Sequence, residues 1–133
     1  MTDSETRDLV RRRAGNHCEY CLLRQEHSDF THHVEHVVAK QHGGSNDPSN
    51  LALACHRCNL RKGPNLTGID PISDEVVVLF HPRRDQWDDH FRVRGLRIAG
   101  ITAIGRATVL VLAMNDARRL DLRLELMLRG DFP

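Results

Sequence analysis

No stretch of this sequence is apolar for long enough to enter a bilayer. The longest apolar-looking run, residues 98–114, is broken by Arg106 and by glycine and threonine, and falls short of the ~20 apolar residues a spanning helix needs. The N-terminal residues include Asp3, Glu5 and Asp8 and offer no apolar segment behind a basic start, so no secretory signal is expected and the chain is assigned to the cytoplasm, with no membrane partner. A charge excess is missing as well. Nineteen Lys and Arg face eighteen Asp and Glu, a net charge of +1. Divided at Leu66, the balance is nine against eight before the cut and ten against ten after it. The positive excess that marks many nucleic-acid binders is therefore absent, and any basic surface must come from folding cations onto one face. Internal repeats and low-complexity segments are lacking too. What remains, 133 residues at 40% apolar and 28% charged, is the composition of a globular protein of about one domain.

The histidines and cysteines are unevenly spread. All four Cys and seven of the nine His lie in the first 66 residues, which concentrates the polar chemistry in that half. Without a secretion signal, four cysteines are expected to be reduced and metal-bound rather than paired as disulfides.

Residues 2–14 read as a helix, with Thr2 and Glu5 at capping-box spacing and Gly15 at its stop. Residues 30–38 carry β-branched residues near alternate positions and read as a strand. Residues 39–50, with Gly43-Gly44 and Asn46-Asp47-Pro48, are a loop. A short buried strand is expected over 51–54, then a helix ended by Gly63-Pro64. After a Pro- and Gly-containing stretch, strands are expected over 75–80 and 87–94, and a helix over 103–114 whose 107–114 stripe is core. Residues 116–128 have leucines at alternate positions but no β-branched residue, and read as a helix capped by Asn115 or Asp116 and stopped by Gly130.

The strongest chemical signal is Cys18-x2-Cys21, 33 intervening residues, and Cys55-x2-Cys58. Each two-residue spacer lets both sulfurs of a turn approach one ion, so the pair of knuckles suits a tetrahedral Zn²⁺; two unrelated redox or free pairs are the alternative. The metal would staple a thin core, and the informative residues are those it encloses: Glu35-His36, Gly43-Gly44, Asn50, Asn59 and Lys62. A carboxylate and an amide oxygen, Glu35 and Asn59, are hard ligands suited to Mg²⁺, Mn²⁺ or a similar ion. A neutral histidine beside them can deprotonate water near physiological pH. A lysine one turn beyond Asn59 can meet a phosphate.

The text Cys18-x2-Cys21, His33-Val34-Glu35-His36-Val37-Val38, Gly43-Gly44, Asn50-Leu51-Ala52-Leu53-Ala54-Cys55-x2-Cys58-Asn59-x2-Lys62-Gly63 resembles the HNH endonucleases of the ββα-metal class, in the subgroup with a four-cysteine zinc site. The likeness continues through Phe80-His81-Pro82-Arg83, Trp87, His90-Phe91 and residues 102–108 to a group of short bacterial HNH proteins. The resemblance implies an α+β fold: a zinc-clasped ββα core at 15–63 and a C-terminal strand–helix extension at 64–133, in one domain spanning 1–133. It implies metal-dependent hydrolysis of DNA phosphodiesters to 5′-phosphate and 3′-hydroxyl ends. His36 matches the general base, Asn50 the asparagine that constrains the loop and orients that base, and Asn59 a ligand of the catalytic divalent ion. Glu35 stands where Asp is common as the other ligand, one methylene longer. Lys62 matches a phosphate contact, and Arg61, His33 and His42 are substrate-side candidates.

The remaining polar residues have plainer readings. Of His32 and His33, one faces core or solvent without a catalytic duty, and His56 is a solvated turn residue or a neighbour of the zinc. His81, Trp87, His90 and Phe91 read as a packing cluster. Arg11, Arg12, Arg13, Arg57 and Arg61 bracket the site in sequence and are candidates for phosphate contact. The rival function from another class is a zinc-stabilised module that binds nucleic acid without cutting it; a third is an interaction domain with an exposed leucine face at 120–128. The partner expected is DNA, with the protein a monomer or weak dimer.

Overall fold

Asp3 starts the first helix in the computed structural model, which describes residues 3–133. Its Oδ1 accepts the Thr6 N–H at 2.8 Å and caps α1 (Ser4–Arg13); Thr2, read as the cap, lies outside the described residues. Glu5 in the first turn and Arg11–Arg13 in the last complement the helix dipole. The helix buries Val10 against Leu51 and Leu53. Arg11 donates to the His32 carbonyl at 3.0 Å, and Arg13 to Pro48 and Leu51 at 3.1 and 2.8 Å. These two arginines, expected at phosphates, instead pin α1 to the chain behind it.

The first hairpin pairs β1 (His33–His36) with β2 (Leu51–Ala54), antiparallel, with His36 opposite Leu51 and His33 opposite Ala54. The expected strand over 30–38 is shorter at both ends. Gln25 draws the 30–32 backbone away, accepting from His32 N–H and donating to Phe30 O. Beyond His36, Asn50 takes over the pairing. Helix α2 (His56–Lys62) follows β2 and is capped by Cys55, whose Sγ accepts the Cys58 N–H at 3.5 Å.

The second half is α+β as well, with two more hairpins. Strands β3 (Thr67–Ile69) and β4 (Val76–Val78) pair, as do β5 (Phe91–Arg94) and β6 (Arg97–Gly100). Neither β3 nor β6 was expected: β3 is three residues around Gly68, and β6 overlaps the start of the apolar run. The expected strand over 87–94 is half helix, α3 (Trp87–His90), because the Trp87 indole turns back to donate to Tyr20 O at 2.8 Å. Helix α4 (Ala103–Val111) ends three residues early, with Ala113 at φ 48°, and α5 (Ala117–Leu128) is capped by Asp116. Among the described residues no helix is long and apolar enough to cross a membrane. The leucines of α5 are divided, with Leu126 buried and Leu124 and Leu128 exposed.

One buried cluster draws on both halves of the chain: Tyr20, Val37, Ala52 and Ala54 join Phe80, Phe91, Ile98, Leu112 and Met114. Phe91 lies 5.1 Å from both Phe80 and Trp87, ring centre to ring centre. Helix α4 approaches this layer through glycine. A Cβ on Gly105 would sit 2.1 Å from the His90 carbonyl oxygen. Gly105→Ala is therefore expected to force apart two backbones that cannot repack by rotamer change, at a cost of at least the ~1–3 kcal/mol typical of overpacking; a thermal melt showing an unchanged midpoint would contradict this packing.

Candidate active site

The four cysteine sulfurs lie within 4.8 Å of one another, fully buried, and none is in a disulfide. Cys21 Sγ and Cys55 Sγ are 3.6 Å apart. In each knuckle the second cysteine's amide donates to the first cysteine's sulfur, at 3.4 Å for Cys21 to Cys18 and 3.5 Å for Cys58 to Cys55. Burial pushes the Cys18 and Cys58 thiols up, while hydrogen bonds from Cys18, Cys55 and Cys58 pull Cys21 down. Four thiols so close cannot all ionise in an apolar interior without a cation among them. The donor set fits Zn²⁺, closed and tetrahedral.

A second cation arrives from the other end of the chain. Arg119 on α5, 6% exposed, donates to Cys58 Sγ at 2.9 Å, with Cys55 Sγ 4.0 Å away, and its other nitrogen donates to Leu112 O at 2.8 Å. Burial works to lower the guanidinium's basicity, but the sulfurs of Cys58, Cys21 and Cys55 more than reverse this. Four thiolates around a Zn²⁺ would carry a net charge of −2, which this guanidinium would partly offset. One turn on, Arg123 holds Leu96 O and Asn115 Oδ1 at 3.1 Å. Sequence reading missed both arginines. The available signal was their spacing with Leu126, at i, i+4 and i+7, which puts all three on one face of α5.

Hairpin and helix α2 assemble the second group. His36, half-buried, donates from Nε2 to Asn46 Oδ1 at 2.8 Å, an arrangement that in the neutral ring places the lone pair on Nδ1. Asn46 was not among the expected residues. Asn50 was expected to constrain the loop and orient His36, and these duties are divided. Asn50 accepts from Val38 N–H at 2.9 Å and donates to Val38 O and Ser45 O at 3.0 and 2.8 Å, closing the 38–50 loop. It makes no hydrogen bond to His36. The loop needs glycine at 44, where a Cβ would overlap the Val38 carbonyl oxygen at 1.7 Å.

Glu35 and Lys62 are interior residues, 7% and 2% exposed. Glu35 Oε1 accepts from the Tyr20 hydroxyl, and Lys62 Nζ lies 3.5 Å from Oε2 while donating to Val37 O at 2.8 Å. Burial pushes the Glu35 carboxyl up, against the pull of Lys62 and Tyr20. Lys62, expected at a phosphate, is corrected to an internal cation, because its amine is spent on Glu35 and a carbonyl. Asn59 is half-buried on α2 with no hydrogen-bond partner for its carboxamide among the described residues, three positions before Lys62 on the same helix.

The other candidates separate. His33 Nε2 meets His56 Nδ1 at 3.3 Å, and Phe30 stacks on His56 with ring centres 4.5 Å apart. Burial, then His56, lowers the basicity of His33. His42 Nε2 bonds Pro64 O at 3.1 Å. Arg61 is exposed and unpaired among the described residues, whereas Arg57 pairs with Asp116 at 3.7 Å.

Residues 18–65 match the family model of the HNH endonucleases. The matched segment runs from the first cysteine of the cluster through β1, β2 and α2 and stops before β3. No curated protein and no solved structure matches the chain.

Elemental analysis is expected to return one zinc per chain, and Cys55→Ser to lose both the metal and a cooperative melt. Arg119→Ala should keep the stoichiometry but release zinc to a chelator more readily, with affinity lower by the ~10–100-fold typical of lost partners beyond the ligands. Zinc retention equal to wild type in Arg119→Ala would show that the guanidinium does not stabilise the cluster.

Proposed function

We propose that this protein is a divalent-metal-dependent endonuclease that hydrolyses phosphodiester bonds in DNA, acting in the cytoplasm. The carrying observation is the state of His36 inside an HNH segment: Nε2 is committed to Asn46, and Nδ1 has no partner among the described residues. A histidine held in one tautomer by its far nitrogen is prepared to accept a proton on the near one.

In this reading His36 Nδ1 takes a proton from water as the water oxygen attacks phosphorus in line with the 3′-oxygen. The P–O3′ bond breaks, solvent protonates the departing oxygen, and the ends are a 5′-phosphate and a 3′-hydroxyl. Asn46 holds the ring, and Asn50 fixes the loop that carries Asn46. Asn59 and Glu35 are the groups for the catalytic Mg²⁺ or Mn²⁺. The Asn59 carboxamide is unengaged, and Glu35 Oε2 is restrained by Lys62 at 3.5 Å, longer than an ordinary charged hydrogen bond. A divalent ion there supplies neutralisation of charge on the phosphate and the leaving oxygen. The zinc cannot serve, because four thiolates leave no open position.

One observation favours the rival, a module that binds nucleic acid without cutting: the Glu35 carboxylate lies in the interior, against Tyr20 and Lys62. Plasmid cleavage separates the two. Wild type with Mg²⁺ or Mn²⁺ should nick or linearise supercoiled DNA, and EDTA should stop it under conditions where the zinc content stays intact. His36→Ala should lose ~10²–10⁴-fold in rate with DNA binding kept. Asn59→Ala should shift half-activation to higher metal concentration. If Glu35→Gln leaves that midpoint unmoved, Glu35 is structural and Asn59 holds the ion without it. Cleavage by His36→Ala at the wild-type rate would overturn the mechanism.

A further inference from the structure

The second half of the chain has no part in the chemistry above, yet it walls a cleft that begins one residue beyond His36. This cleft, about 380 Å³, lies between Val37 and Val38 at the exit of β1, Lys62 and Asn65 at the exit of α2, and His81 and Arg84 from the segment after β4. Its volume falls within the ~300–1,000 Å³ of ordinary small-ligand pockets. The hairpin side is immobilised, since Asn50 grips both the N–H and the carbonyl of Val38.

Among the described residues, every cation in and around the cleft has a partner except one. Lys62 is committed to Glu35 and the Val37 carbonyl. Asp85 uses Oδ2 to accept the His81 N–H at 2.9 Å. Arg83, on the same turn, is ion-paired with Glu19. Arg84 is exposed, and its guanidinium has no partner among the described residues. His81 is also set by its neighbours: Nδ1 accepts the Arg83 N–H at 3.1 Å, so the proton of the neutral ring is on Nε2. Burial, then Arg84, lowers its basicity, against the pull of Asp85. An unpaired guanidinium and an imidazole N–H beside an apolar floor suit a sugar-phosphate unit, because arginine binds phosphate oxygens through two parallel N–H donors.

We propose that this cleft seats the nucleotide adjoining the scissile phosphate of a DNA strand, with Arg84 holding its phosphate and the His81 Nε2–H donating to it. The C-terminal segment thereby supplies the phosphate cation that Lys62 does not. Adjacency to a scissile bond rests on the nuclease reading; the binding of a DNA backbone in the cleft does not.

The test measures binding and cleavage separately. Binding of a fluorescent duplex is followed against salt in a His36→Ala background, with Arg84→Gln compared to Arg94→Gln, a change at an exposed arginine of β5 outside the cleft. Arg84→Gln should weaken binding several-fold and reduce the slope of log K against log salt by about 0.9, the value for one phosphate contact, with an unchanged melting temperature. Arg94→Gln should do neither. In the protein with His36 intact, Arg84→Gln should raise KM for DNA and leave kcat near wild type. Equal affinity and slope for Arg84→Gln and its parent overturn the proposal. A slope change without any cleavage by wild type keeps the cleft and removes the nuclease reading; cleavage by wild type with an unaltered Arg84→Gln removes the cleft alone. No DNA binding by any variant removes both.

Discussion

Four buried sulfurs from two distant turns are brought within 4.8 Å of one another, and the rest of the molecule is arranged about them. The first knuckle precedes the β1–β2 hairpin, the second caps α2, and Arg119 on α5 donates into the cluster from 61 positions beyond Cys58. Zinc binding in small zinc peptides is worth ~10–16 kcal/mol, comparable with the whole net stability of a typical domain, ~5–15 kcal/mol. A zinc held by these four sulfurs would therefore decide whether a chain of this size holds its hairpin and α2 in register. Arg119 extends that dependence to the C-terminal helix, because a guanidinium this deeply buried is tolerable only against negative charge.

His36 inherits its rigidity from the elements gathered round this cysteine cluster. His36 is at the last paired position of β1, opposite Leu51, whose side chain is fully buried against Val10 of α1. Asn50, one residue before β2, spends its whole carboxamide on the loop backbone. That loop returns Asn46 to His36. The two asparagines divide the work: one shapes the loop and the other holds the ring. Glu35, Tyr20 and Lys62 form a polar knot beneath the hairpin. It joins the first knuckle, β1 and the end of α2, and it explains why Lys62 points inward.

Much of this was readable in the sequence for a physical reason. Metal-ligand spacing, capping residues and turn glycines act over two to four residues, so Cys18-x2-Cys21, Cys55-x2-Cys58, a cap at Asn115 or Asp116 and the short β2 strand could be placed from local pattern alone. The order Glu35-His36, Asn50, Asn59 could be read as a candidate site because it lies within one contiguous segment, the one that the HNH family model matches. Side-chain direction was not legible. Whether a lysine meets a phosphate or an internal glutamate depends on what lies across from it, and for Lys62 that is Glu35 on β1 and, just beyond the strand, the Val37 carbonyl, 25 residues away in sequence. The same holds for Arg11 and Arg13, whose carbonyl partners sit on residues 32, 48 and 51. The split of residues 87–94 into a helical turn and a strand needed the Tyr20 carbonyl to receive the Trp87 indole. The pairing of Asn46 with His36 and of Arg119 with the sulfurs is likewise a product of tertiary structure, since hydrogen bonds and ion pairs act over a few ångströms and only the folded chain brings those groups that close.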